Sequence, residues 1–226
     1  MKKGGFNIEY TVEYSKRKTI GIIIKDNCDV IIRAPFGTSE EYISNVVNKK
    51  RVWIESKLEK FKNRHKLNDD EVMFLGEVYK KVVIEQEFLK REFVCIDKDR
   101  LLINVKNKEN ELKVLEKFFR EQCKTYIKEI VKEYISITGL VPKEIKIKEQ
   151  KTKWGCCTYD NRIFINWKLI MARKSAIKYV IVHEMCHILE KNHSKNFWNK
   201  VNEFFPNYKI EDIYLKENGY LMKLKN

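Results

Sequence analysis

No apolar run in this 226-residue chain approaches the roughly 20 residues that a membrane span requires, and Met1-Lys2-Lys3-Gly4-Gly5 is not followed by the apolar core of an export signal. A cytoplasmic, membrane-free protein is therefore expected. The six cysteines, at 28, 95, 123, 156, 157 and 186, never adopt the C-x-x-C spacing of a zinc ribbon or a thioredoxin-like site. Without an export signal they are read as reduced thiols. Nucleic-acid-binding motifs are also missing, although 46 lysines and arginines against 32 acids leave a net charge of +14. The basic residues are scattered among acids, as in Lys49-Lys50-Arg51, Lys80-Lys81 and Lys90-Arg91, which reads as a solvated surface. Disorder is excluded by the 43% of hydrophobic residues, and the length suits one domain or two modest subdomains with a real core.

What the chain does have is three of its four histidines in one short stretch, His183, His187 and His193, the first two framing an H-E-x-x-H motif with Glu184. Residues four apart on an α-helix lie only about 40° from one another, so His183 and His187 share a face and can hold one Zn²⁺. Glu184, one step round the helix, can reach a metal-bound water as general base. With the run Ser175 to Val182 before the motif and Ile188-Leu189 after it, the helix is apolar almost all round and is expected to be buried, with Ser175 as its N-cap. Three ionisable groups on a buried helix are costly unless paired or metal-bound. Cys186 is read as core packing, and at most one of Cys156 and Cys157 can face the site, because neighbouring strand residues point to opposite faces.

His193 lies six residues beyond His187 and on a continuous helix would point about 240° away from it. It can be the third ligand only if the helix ends first, and Glu190-Lys191-Asn192 offers the stop. Metzincins have the same spacing with a glycine at the turn, where this chain has Glu190; no Met-turn follows, since Met222 sits in a lysine-rich tail. The competing third ligand is a downstream glutamate on a second helix, as in gluzincins, with Glu203, Glu211 and Glu217 as candidates. Asn192, Tyr208 and Tyr214 are candidates for stabilising an oxyanion.

Strand patterns cover 7–14, 18–25 and 29–33, with Asp26-Asn27 as a turn, which suggests a meander. A helix is expected from Glu40 to about Arg64, with Trp53 in its apolar stripe. Strands return at 72–75, 78–85, 93–96 and 101–105, with tight connections at Gly76-Glu77 and Lys98-Asp99. The charged segment Asn107–Asn110 is the expected boundary between a β-rich subdomain with one long helix, 1–107, and a metal-binding subdomain, 108–226. In the latter, Glu111–Thr138 reads as a long amphipathic helix stopped by Gly139, residues 143–151 and 162–166 as strands, and 194–204 as a helix capped by Ser194 and stopped by Pro206. The fold class is α+β.

Around these residues the chain resembles the YgjP-like metallopeptidase family, once listed as domain-of-unknown-function family 45 and distantly similar to SprT-like and WLM metalloproteases. The likeness is carried by Lys153-Trp154-Gly155-Cys156-Cys157 with Asn166-Trp167-Lys168-Leu169-Ile170, by His183-Glu184-Met185-Cys186-His187, and by Asn192-His193-Ser194 with Phe197-Trp198. Weaker similarity reaches Arg17-Lys18-Thr19-Ile20, Arg33-Ala34-Pro35, Trp53-Ile54 and Leu75-Gly76. The resemblance implies a zincin-like subdomain in which a small sheet, a long helix and the H-E-x-x-H helix surround a Zn²⁺. It also implies a zinc-dependent hydrolase of peptide bonds, with His183, His187 and His193 as ligands and Glu184 as the base. Lys153 and Cys156 stand where the family commonly has arginine and serine. Two rival readings stay open: a SprT-like protease working on DNA-attached proteins through the basic surface, and a non-enzymatic nucleic-acid-associated module with structural zinc.

Overall fold

The computed structural model describes residues 8–25 and 27–224, and the chain divides into two compact units, Met1–Lys66 and Leu67–Asn226. Asn7 and Asp26, included in the expected first strand and turn, lie outside the described residues. In the first unit the strands are β1 (Thr11–Ser15), β2 (Gly21–Ile24) and β3 (Val30–Pro35). Their order is β1-β3-β2, with β3 parallel to β1 and antiparallel to β2, so the expected meander is not formed. The physical reason is burial: Val30, Ile31, Ile32 and Ala34 of β3 are all buried, and such a strand takes the centre, where both of its backbone edges are paired.

Ser39 caps α1 (Glu40–Lys49) by accepting from the Tyr42 amide at 3.3 Å, and Glu40 and Glu41 in the first turn suit the positive end of the helix. The single helix expected here is two, because Lys50 (φ −99°, ψ 6°) interrupts it before α2 (Arg51–Lys62). Neither proline nor glycine accounts for the break; the Lys50 amide reaches both the Val46 and Val47 carbonyls, tightening the last turn. Trp53 is 45% exposed rather than in the core, while Ile54 is fully buried with Ile43 and Val47. Adjacent helical residues are about 100° apart, so only one of the pair can face the sheet.

The second unit begins with β4 (Glu71–Phe74), β5 (Glu77–Glu85), β6 (Phe93–Asp97) and β7 (Arg100–Val105), ordered β4-β5-β7-β6 with β5 and β7 parallel. The long helix α3 spans Glu111–Thr138 as its periodicity predicts, and Gly139 closes it at φ 69°. Phe74 stacks on Phe119 of α3 with centroids 5.7 Å apart, and the amides of Leu75 and Gly76 donate to the carbonyls of Ile170 and Met171 at 2.8 and 3.2 Å. These contacts are why the structural division falls at Lys66–Leu67 instead of at 107–108: the 67–105 sheet shares its core with α3 and with the segment entering the histidine helix. Gly76 (φ 92°) has Arg173 Cα only 2.7 Å from where a Cβ would stand, so the turn has room for no side chain.

The remaining sheet consists of β8 (Glu144–Lys148), β9 (Gly155–Cys157) and β10 (Arg162–Asn166), ordered β8-β10-β9, with β9 an antiparallel edge strand. Three helices follow, α4 (Lys174–Cys186), α5 (Lys195–Phe204) and α6 (Tyr208–Asn218). The N-cap of α4 is Arg173, not Ser175. Tertiary contacts set that start: the Arg173 guanidinium donates to both Glu211 oxygens at 2.8 and 3.0 Å, and its amide donates to the Tyr214 hydroxyl at 3.3 Å. Sequence reading missed α6, whose buried positions are only Glu211 and Leu215, too few for a visible apolar stripe. Among the described residues no helix is long and apolar enough to cross a membrane.

Candidate metal centre

α4 packs against α3, α5, α6 and β9; Lys174 is its one exposed residue, and Ser175, Lys178 and His183 are half-buried while the rest are buried. Its regular helix ends at Cys186, with His187 as C-cap, three residues before the stop expected at 190–192. The amides of Ile188, Leu189 and Glu190 turn back to Met185 and Cys186, and the Glu190 carbonyl comes within 2.9 Å of His187 Nδ1. Asn192 contributes through its side chain, which accepts from the Ser194 amide at 3.2 Å, and not by a left-handed backbone. Ser194 then caps α5 by accepting from the Phe197 amide at 3.3 Å. His193, suspended between the turn and the cap, comes back over α4, with its Nε2 3.0 Å from His183 Nε2.

The three imidazoles offer one nitrogen each within 4.8 Å of one another. Aromatic rings hold them in that arrangement. Phe197, fully buried, stacks on His187 at 4.4 Å, and Trp198 stacks on His193 at 5.6 Å with Tyr208 behind it at 5.2 Å. Tyr179 meets His183 edge-on at 5.8 Å.

Burial, reinforced by the two neighbouring imidazoles, pushes His183 down to about 3, and burial also lowers His187. Both rings are therefore neutral at neutral pH, with lone pairs to donate. A hydrogen bond from His187 Nδ1 to the Glu190 carbonyl leaves Nε2 as the free acceptor. Glu184 is 5% exposed, and burial raises it to about 8 against the pull of the Lys153 charge and the Cys157 amide. Its Oε2 and His183 Nδ1 are buried without a hydrogen-bond partner among the described residues. Three converging neutral imidazoles beside an unsatisfied carboxyl oxygen form a donor set that suits a single transition-metal ion.

Gly155 in β9 faces Glu184 so closely that a Cβ there would lie 2.7 Å from its Cγ and 2.8 Å from its Oε1. This contact was not anticipated, although a glycine inside a strand is a signal of close approach by another group. Cys157 lies on the same strand face, where burial raises its thiol and the Lys191 charge opposes the rise. Neither it nor Cys156 joins the histidine group. The glutamate alternatives are not brought there: Glu211 is buried against Arg173, Glu203 pairs with Lys200 at 2.9 Å, and Glu217 is outside the group. The Tyr214 hydroxyl is occupied by the Arg173 amide, whereas Tyr179, not singled out from the sequence, lines the cleft. That cleft, of about 530 Å³, is bounded by β9 and by His183, Glu184, His187 and His193.

The YgjP-like, metallopeptidase domain model matches residues 18–218. No curated protein gives a significant match. Among solved structures, the metallopeptidase zymogen of Pyrococcus abyssi abylysin is 18% identical, with 40% of this chain and 93% of that chain covered and a TM-score of 0.37. The metallopeptidase zymogen of Methanocaldococcus jannaschii jannalysin is 26% identical, with 42% and 96% covered and a TM-score of 0.36.

Proposed function

This chain belongs to the YgjP-like metallopeptidase domain family, and we propose that it is a zinc-dependent peptidase in which His183, His187 and His193 hold the metal and Glu184 is the general base. The observation that carries this reading is the convergence of the three imidazoles beside the buried, unpartnered Glu184 carboxyl oxygen. When bound, zinc supplies Lewis acidity to a water and to the scissile carbonyl. Glu184 takes the proton of the attacking water on its carboxylate and returns it to the leaving amine. Burial favours the neutral form of Glu184, and a cation at the imidazoles would favour its carboxylate, the form that accepts a proton. Phe197 and Trp198 hold His187 and His193 in their orientations, and the Glu190 carbonyl keeps His187 in the tautomer that a ligand needs.

Elemental analysis of purified protein is expected to give one zinc per chain. Hydrolysis of an unstructured protein such as casein should disappear with a chelator and return with added zinc. Cleavage that survives complete metal removal would overturn the reading. His193→Ala tests the conditional ligand. Its side chain is exposed and the Ser194 cap remains, so the variant folds, while zinc affinity falls roughly 100-fold or more, beyond the loss seen for outer-sphere partners. Unchanged zinc affinity, measured by competition with a chromophoric chelator, would reject His193 as a ligand.

A further inference from the structure

The cleft beside the histidines is unevenly charged. Lys153, Lys191 and Lys216 line it, with Asp212 and the buried Glu184 as its acids. Lys216 is neutralised by Asp212 at 2.6 Å. Lys191 is fixed by two uncharged acceptors, the Asn161 side-chain oxygen at 2.5 Å and the Thr158 carbonyl at 3.3 Å. Asp160, in the same turn, is engaged by Arg162 at 2.9 Å and by Lys143 at 3.5 Å. Among the described residues, no carboxylate forms an ion pair with Lys153 or Lys191. Both are exposed, and they flank the edge strand β9 from opposite ends: Lys153 two residues before Gly155, and Lys191 against Thr158, the residue after Cys157. Five residue steps at about 3.3 Å each separate those ends by up to about 17 Å, the reach of a short extended peptide. Within that span Gly155 faces Glu184, and the histidines line the same cleft.

Resting on the peptidase reading above, we propose that this cleft selects acidic peptides, with Lys153 and Lys191 each receiving a carboxylate side chain on either side of the bond to be cut. Two ammonium groups without an ion-paired carboxylate at a cleft mouth attract anions and set register, and opposite ends of the strand would repel a peptide carrying lysine or arginine there. Exposed ion pairs are individually weak, so the expected discrimination is modest, about fivefold to tenfold for the two together.

Binding separates this proposal from the catalytic one. Fluorescently labelled decapeptides with Asp and Glu, and their Asn and Gln counterparts, are titrated by anisotropy into zinc-loaded Glu184→Gln protein. The acidic peptide is expected to bind about fivefold to tenfold more tightly at low salt, with the advantage shrinking at high salt. It should also be lost in a Lys153→Gln/Lys191→Gln background, and Lys153→Gln alone, which leaves the Lys191 anchor intact, should remove part of it. Equal affinities for the two peptides would overturn the proposal. So would an acidic preference that the double lysine variant retains, since the carboxylates would then be binding the metal. Cleavage of both peptides at equal rates by wild-type protein leaves the peptidase reading standing and this one rejected. Acid-selective binding without cleavage does the reverse.

Discussion

Replacing Glu184 by glutamine is expected to leave zinc bound and to lower kcat/KM for peptide hydrolysis by roughly 10²–10⁴-fold, the range contributed by a positioned general base. The substitution preserves shape, and the amide oxygen can still accept from the Cys157 amide that now faces the carboxyl. What is lost is the capacity to take a proton. Folding should not suffer, because an ionisable group 5% exposed gives way to a neutral one of the same volume. The comparison needs zinc content, thermal midpoint and initial rates on the same preparation. Full turnover at full zinc occupancy would remove Glu184 from the mechanism.

The second large effect is expected at a residue with no functional group. Gly155→Ala adds one carbon, which would stand 2.7 Å from Glu184 Cγ and 3.0 Å from its Cδ, well inside van der Waals contact. Either the carboxylate swings away or β9 moves off α4. Displacing a reacting group by about 1 Å costs on the order of 10²-fold in rate, and kcat is expected to fall by about that factor. The histidines are held by Phe197, Trp198 and the Glu190 carbonyl, not by Gly155, so zinc should stay bound. Combined with Glu184→Gln, the alanine should add little, because both changes disable one group. Wild-type kcat in Gly155→Ala would mean that the close approach does not set the carboxylate.

The local readings of the chain fared well where their physics is local. α3 runs from Glu111 to Thr138 and stops at Gly139 because apolar spacing and a left-handed glycine act within a few residues of themselves. Ser194 caps α5 for the same reason. The expected stop of α4 near Asn192 was misplaced, since the last turn closes at His187 through backbone bonds that leave no residue signature. Ser175 has the residue type of a cap, yet Arg173 starts the helix because Glu211 and Tyr214, 38 and 41 residues away in the chain, hold it. Trp53 shared a stripe with Ile54 on paper, but only Ile54 is buried.

By itself, then, the amino-acid order determined that His183 and His187 share a helix face with Glu184 beside them, since four residues is slightly more than one helical turn. Only the tertiary structure decided that His193 closes the group, that Glu211 serves Arg173, that Gly155 presses on Glu184, and that Lys153 and Lys191 line the same cleft as the histidines. The division is physical. Helical phase and capping depend on neighbours in the chain, whereas lost water, converging side chains and unbalanced charge depend on which distant segments the core brings together.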